Sequence, residues 1–412
     1  MAKKLFCFVI LLILLVSFSI SALDISDFYY KADNFLDSLS DPNTGLTAFP
    51  TLLIPLGGRY EAMGTAFTAV ADDASFIEAN PAGSSSLKNT ELSFYHNDWI
   101  ADTNIESVVF TTRFNNFGFG VGAKLLYVPF TGYDLWGERS SRGYYSESVG
   151  ILNASYRFMS SYDFWGIAVG TNLKVAYRYI PPEIYENQSA FSAMVDIGAL
   201  TRFNFLKLYS SREKNASFGI ALKNLGIAQL DDPLPLEATA GVAYSPLRPV
   251  IIALDFTYPI SLNPSEQPAE QWGFAVGTDV TFTDFFSVQC GFRYRGSNPR
   301  VSVGSKLDIN DNISLNLNYT LDLTTQVGLD RFSLVSSLNL GDKGRSLIAK
   351  QVDEYYVAGL MAYADGNLRE AAANWEKAIE LDPGFTPAVL NLETVKKTLQ
   401  MIDEMMLIQT VN

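Results

Sequence analysis

The sequence predicts an all-β transmembrane barrel of about fourteen antiparallel strands, and three observations carry that prediction. Over residues 90–341 apolar and polar side chains alternate, in segments of about ten residues, the length a tilted strand needs to cross a bilayer. Aromatic residues make up 13% of the chain, with 28 Phe and 21 Tyr. The chain also opens on an export signal. A soluble sandwich would alternate as well, with its apolar face inward, but it would not call for so much aromatic surface.

Residues 1–22 read as a secretory signal peptide: Lys3 and Lys4 give a positive start, residues 5–18 are apolar, and Ser19, Ser21 and Ala22 are small where a peptidase cuts. The run is short for an anchoring span. Cys7 lies inside it, so no cysteine follows it to take a lipid. After cleavage Cys290 is the only cysteine, and no internal disulfide can form. The expected compartment lies beyond a bacterial inner membrane.

Residues 23–89 are mixed, with helical patches and many small residues. The strands are expected near 90–98, 104–114, 117–129, 147–158, 164–180, 189–203, 216–226, 236–246, 249–260, 270–282, 285–296, 299–309, 312–323 and 329–340. The clearest is Ile313 to Leu321, where every second residue is apolar and the others are Ser, Asn or Thr. Connections after even-numbered strands are mostly tight, as at Asn115-Asn116 and Asn310-Asp311. Those after odd-numbered strands tend to be long, as at 130–146. Short periplasmic turns and longer outer loops give that asymmetry. The stretch 204–215 and the short loop 296–298 break it. Residues 342–350 read as a linker and 351–412 as helical.

Composition excludes several functions. Lys plus Arg is 30 against 44 Asp plus Glu, a formal charge of -14, so no nucleic acid is expected as a partner. One histidine, His96, and two cysteines cannot form a Cys/His zinc cluster. His96 has no readable nucleophile or orienting partner and reads as an ordinary strand-end residue rather than a catalytic one. Gly57, Gly58 and Gly64 do not form a phosphate loop. No metal, no cofactor and no enzymatic activity are expected. Asp72 or Asp73 reads as a cap for a short helix near Ala74, and Asn80-Pro81-Ala82-Gly83 as its stop.

The block GGRYEAMGTAFTAVADDASFIEANPAG, residues 57–83, resembles the N-terminal signature of FadL-like outer-membrane proteins, and is similar to their uncharacterised spirochaete branch and to the PorV/PorQ type. The resemblance implies a hatch, or plug, over 23–89 carrying the motif Asn80, Pro81, Ala82 and Gly83 inside a fourteen-stranded barrel. Long-chain fatty acid transport is what similarity to FadL implies. Similarity to PorV implies a partner in protein secretion.

Near the C-terminus, Gly359, Gly366, Leu368, Ala371, Trp375, Ala378 and Pro383 fall at tetratricopeptide spacing. The small residues let two helices pack, Gly366 makes the turn, and Pro383 ends the second helix. One repeat does not bury its own face. The alternatives are a helical tail packed on the barrel and a unit that takes a periplasmic protein as partner. An even strand number puts the plug and these helices on one side of the membrane.

Lys124, Lys174, Arg178, Lys223, Asp255, Asp279, Arg293, Arg295 and Lys306 fall on the polar phase of their strands. A solvated or ion-paired lumen accounts for them. As a functional set, Lys174, Arg178 and Arg293 are candidates for holding the head group of a fatty acid or another hydrophobic ligand. The expected protein is an outer-membrane channel for hydrophobic molecules embedded in the lipid bilayer. The competing expectation is a scaffold that recruits envelope proteins.

Overall fold

The computed structural model describes residues 47–411 apart from 100–102, 134–135, 162–163, 183–188, 210, 212, 227–232, 263–269, 297 and 324–329. The expected signal peptide and the first part of the expected hatch, 23–46, lie outside the described residues.

Fourteen strands close into one antiparallel barrel. They are β1 (Glu91–Asp98), β2 (Asn104–Phe114), β3 (Phe117–Tyr133), β4 (Arg139–Phe158), β5 (Ile167–Tyr179), β6 (Ala190–Phe203), β7 (Ala216–Gly226), β8 (Glu237–Tyr244), β9 (Val250–Pro259), β10 (Gly273–Thr283), β11 (Phe286–Arg295), β12 (Asn298–Asn310), β13 (Ile313–Asp322) and β14 (Arg331–Asn339). Each pairs with its sequence neighbour, and β1 closes on β14 from Glu91↔Asn339 to Asp98↔Phe332. Closure leaves no unpaired strand edge.

Period-two alternation sets the two faces. In β2, Ile105, Ser107, Val109 and Thr111 are buried inward, while Glu106, Val108 and Phe110 are exposed outward. The outer face is apolar, with Val121, Leu152, Leu173, Ile197, Ile220, Leu254 and Leu317 exposed at mid-height. Aromatic rings flank that band. Phe114, Phe117, Phe158, Phe203 and Phe282 lie toward the end where the chain enters and leaves, the near end. Tyr127, Tyr144, Tyr177, Tyr258 and Trp272 lie toward the opposite, far end. An exposed apolar band between aromatic girdles is a surface solvated by a bilayer. Cys290 is on this outer face, and its neighbour Gln289 is buried inward. His96 is on it too, with Nδ1 at 2.6 Å from Glu106 Oε1.

The hairpin of β3 and β4 reaches further than the sequence predicts. Residues 130–146 were expected as a loop, but pairing continues through Phe130↔Gly143 to Tyr133↔Arg139. A Cβ on Gly143 would come within 2.6 Å of the Phe130 ring, so the glycine leaves the space in which that ring lies across the strand. The long near-end connection 204–215 is closed on itself: Asn215 accepts from Phe205 N at 2.9 Å and donates to Phe205 O at 2.7 Å.

Beyond β14 the expected linker 342–350 is helical from Arg345. Asp342 takes the Gly344 and Ser346 amides at 2.9 and 2.7 Å, which starts the helix early. Before the barrel lie two short helices, α1 (Gly58–Ala62) and α2 (Phe76–Ala79). After it come α3 (Arg345–Ala364), α4 (Leu368–Leu381) and α5 (Thr386–Val411). Trp375, 1% exposed, fills their core with Val352, Ala371, Ala378, Ala388 and Val395. Arg345 ties the start of α3 to the barrel rim, donating to Arg113 O at 2.9 Å and also to Lys88 O. Among the described residues no helix is long and apolar enough to cross a membrane.

Candidate functional site

Residues 47–89 run through the barrel interior as short turns joined by irregular backbone; amides within the turns pair inside the segment, as Val70 N with Phe67 O at 3.1 Å and Asn80 N with Phe76 O at 2.8 Å, and other backbone groups are left over. In a closed barrel those groups need partners from the wall. Glu147 of β4 accepts from Thr51 N at 3.1 Å and from its hydroxyl. Asp255 of β9 accepts from Phe67 N at 3.0 Å and Thr68 N at 2.8 Å. Ser333 of β14 accepts from Gly58 N at 2.9 Å. Wall donors reach the carbonyls: Asn97 to Pro55 O at 3.1 Å, Asn172 to Ile77 O at 2.8 Å, Asn153 to Pro81 O at 2.9 Å and Ser217 to Ala69 O at 2.7 Å.

Ion pairs add to this. Arg331 of β14 meets Glu61 at 2.7 Å with both side chains 2% exposed. Lys124 of β3 meets Glu78 at 2.6 Å. Arg59 of α1 donates Nε to Asp279 of β10 at 2.6 Å and also pairs with Asp72 and, at 3.2 Å, Asp73. Burial alone would raise the Asp72 carboxyl, but the Arg59 guanidinium outweighs it and holds the group below its ordinary value. Asp73 is pushed above its ordinary value by burial, with Asp72 adding to the rise. Asp73, not Asp72, serves the turn into α2, accepting from Ser75 N at 2.9 Å.

The wall comes close where it has glycine. A Cβ at Gly118 of β3, Gly170 of β5 or Gly291 of β11 would fall on the backbone of Ser84–Ser85, Pro81 or Gly64. The predicted motif lies in this tight zone. Asn80 is fully buried, donates to Thr68 O at 2.9 Å and Ala199 O of β6 at 3.0 Å, and accepts from Ala82 N at 3.1 Å. Pro81 opens a 3-10 turn, Pro81–Ser86, in which Ala82 is fully buried. Gly83 closes the motif read as a helix stop. It has no positive φ; its role is space, because a Cβ there would come within 2.7 Å of Ala71 O.

The predicted head-group residues separate. Lys174 is engaged, with Asp196 of β6 at 2.7 Å and Asn224 at 3.0 Å. Arg178 and Arg293 make no ion pair among the described residues. The Arg178 guanidinium lies 5.8 Å from the Phe49 ring centroid, and its Nε is buried without a partner. Arg293 faces a cavity of about 50 Å³, also lined by Tyr60, Lys223, Glu237 and Arg295. Lys223 and Arg295 pair with Glu237 there, at 2.7 and 2.8 Å. That room holds a few waters, since each needs roughly 10–15 Å³ of this kind of volume. The anchors Arg59, Glu61, Glu78 and Glu147 were not singled out in the sequence, where nothing marks them apart from solvated charges.

Of the helical residues, Gly359 lets α3 lie against the Trp375 indole, whose Nε1 donates to Tyr356 O at 3.2 Å. Gly366 turns the chain with φ +81. Ala371 and Ala378 are fully buried beside Trp375, and Pro383 is exposed past the end of α4.

Residues 31–337 match the Uncharacterised protein family (UPF0164), and the chain belongs to that family. A UPF0164 protein of Treponema pallidum (strain Nichols) is 30% identical over 384 residues, covering 89% of this chain and 87% of the relative. A second from the same strain is 28% identical over 377 residues, covering 85% and 75%. Among solved structures, the chain is similar to the Pseudomonas putida toluene transporter TodX at 12% identity and a TM-score of 0.49, with 68% of this chain and 96% of that chain covered. A KdgM porin is similar at 8% identity and a TM-score of 0.32, covering 61% and 99%.

Proposed function

We propose that this member of the UPF0164 family is a FadL-like, non-catalytic outer-membrane channel for hydrophobic small molecules, long-chain fatty acids among them, with residues 23–89 as its hatch. The observation that carries this reading is the pairing of two opposite surfaces on one wall. The outer face is apolar between aromatic girdles, and the inner face binds a chain segment that crosses the lumen. A lumen filled in this way stops water and ions, and passage needs the segment to shift along the wall. Arg178 and Arg293, which have no counter-ion among the described residues, are the head-group candidates of choice; Lys174 already serves Asp196. Export follows from the signal peptide at 1–22. The C-terminal helices then lie in the periplasm, where a tetratricopeptide-like unit takes a protein partner.

One observation favours a second reading, a PorV-like scaffold without lipid transport. The interior cavity of about 50 Å³ is small and edged with charge, far below the roughly 300–1,000 Å³ of a ligand pocket. Lipid analysis of the purified whole protein separates the two. Bound acyl chains, reduced in an Arg178→Gln/Arg293→Gln variant, support transport. A copurifying envelope protein with no acyl chain supports the scaffold.

A further inference from the structure

Three arginines stand at the near end of the barrel with no carboxylate within ion-pair distance among the described residues. Arg113, Arg157 and Arg202 are the next-to-last residues of β2, β4 and β6, and each precedes a phenylalanine, Phe114, Phe158 and Phe203, that is exposed on the outer face. Alternation turns each arginine inward at the depth of the near-end aromatic girdle. The guanidinium groups of Arg157 and Arg202 flank a single indole, at 5.1 and 5.2 Å from the Trp165 ring. Arg113 and Arg202 meet the same turn of the N-terminal segment: Arg113 donates to Ser85 O at 3.4 Å, and Arg202 to Ser86 Oγ at 3.5 Å and Val70 O at 3.0 Å. Arg157 donates to Asn116 Oδ1 at 3.1 Å.

All these partners are neutral. Among the described residues, the neighbouring charges that bear on Arg113 are the cations Arg345, Arg157 and Arg202, and the one that bears on Arg157 is Arg202. Arg202 also feels Asp72 and Glu213, neither of them within ion-pair distance. The Nε groups of Arg113 and Arg157 are buried with no hydrogen-bond partner. Elsewhere in the lumen Lys124, Lys174, Lys223, Arg295, Arg300 and Arg331 each face a carboxylate within 4 Å. Withdrawing several like charges from water costs free energy unless an opposite charge joins them. Guanidinium forks match the oxygens of a tetrahedral oxyanion in two-point hydrogen bonds.

The geometry points to an anion site at the near-end mouth, where Arg113, Arg157 and Arg202 take a phosphate group. Two sources share that chemistry, a phospholipid head group and free inorganic phosphate. The lumenal orientation favours free phosphate, which enters from the aqueous end, whereas a lipid head group reaches the site only over the rim; that preference rests on the bilayer reading, and the site itself does not.

The test uses the whole protein in detergent, with Arg157→Gln and Arg113→Gln/Arg157→Gln variants and Lys397→Gln on the exposed face of α5 as control. Inorganic phosphate is titrated while the thermal midpoint and binding heat are followed, and phospholipid retained after purification is measured by phosphorus content. In parallel, the protein is incorporated into phosphatidylglycerol or phosphatidylcholine nanodiscs. Saturable phosphate binding, weakened at least tenfold in the double variant, supports the site with free phosphate as its ligand. Retained phospholipid, or a midpoint raised by phosphatidylglycerol over phosphatidylcholine, in each case lost in the variants, supports the site with lipid as its ligand. Equal phosphate and lipid responses in the native protein and in either folded variant overturn it. So does a midpoint that rises in the variants with no ligand effect on the native protein, since that is relief of uncompensated repulsion.

Discussion

The N-terminal segment and the C-terminal helices both join the barrel at one end, yet they are held by different means. The helices close around an apolar centre, Trp375 among alanines and valines, with one indole hydrogen bond to Tyr356. The N-terminal segment also buries Phe49, Met63, Phe67 and Phe76, but backbone groups outside its own turns are met by the wall: Glu147, Asn153, Asn172, Ser217, Asp255 and Ser333. A helix satisfies its own amides and needs only an apolar face covered. An irregular segment inside a barrel borrows its partners from strands that are far away in sequence. The difference predicts that the helices respond to lost volume and the segment to lost polar atoms.

Arg331→Met should have the largest effect. It leaves Glu61 buried and unpaired, at a cost of ~3–5 kcal/mol. Release of the segment, read as protease cleavage within 47–89, should begin at much lower urea, and the added change Glu61→Gln should restore part of the loss. Equal sensitivity in the single and double variants would break the assignment. Trp375→Ala should cost ~3–5 kcal/mol in the helices alone. Amide exchange should quicken across α3, α4 and α5 and stay unchanged in 47–89; a change in both regions would end the contrast. Asp255→Ala leaves the Phe67 and Thr68 amides without their acceptor, at ~1–3 kcal/mol for each group. Exchange at those two amides should quicken before any in β9. Asp342→Ala should do least, fraying only the first turn of α3. The Asp342 carboxyl is held below its ordinary value of 3.8, first by its hydrogen bonds to Ser346. Its contribution is therefore full above the unfolded value and is lost as pH falls through the lower, folded one. Exchange at Ser346 should begin to rise as the pH falls below 3.8 and not above it.

The barrel was legible in the sequence because period two survives in every strand, and its outer face announces itself wherever Phe or Tyr holds the apolar phase. The β3–β4 extension was hidden because Gly143 and Ser146 look like loop residues until Phe130 and Tyr127 are seen opposite them. In the site, Asn80 was legible as the first residue of a helix stop. Its partner Ala199 was not, since it lies 119 positions away. Lys174 read as a head-group candidate because its ion partner Asp196 is known only from the β5–β6 register, where Asp196 stands opposite Asn172 and diagonal to Lys174, whose own partner is Met194. The arginines of the near-end mouth did leave a signal, an Arg-Phe pair closing β2, β4 and β6. It becomes readable only once the strand ends are known.

If, as proposed, the segment inside this barrel seals it, the native protein is closed to ions. The most direct measurement is ion conductance of the whole protein inserted singly into a planar bilayer, beside the Arg331→Met/Asp255→Ala variant. The native protein should pass no sustained current, and the variant should show step openings, because its segment has lost an ion pair and the acceptor of two amides. A steady porin-like current from the native protein, at the same level in the variant, would contradict it.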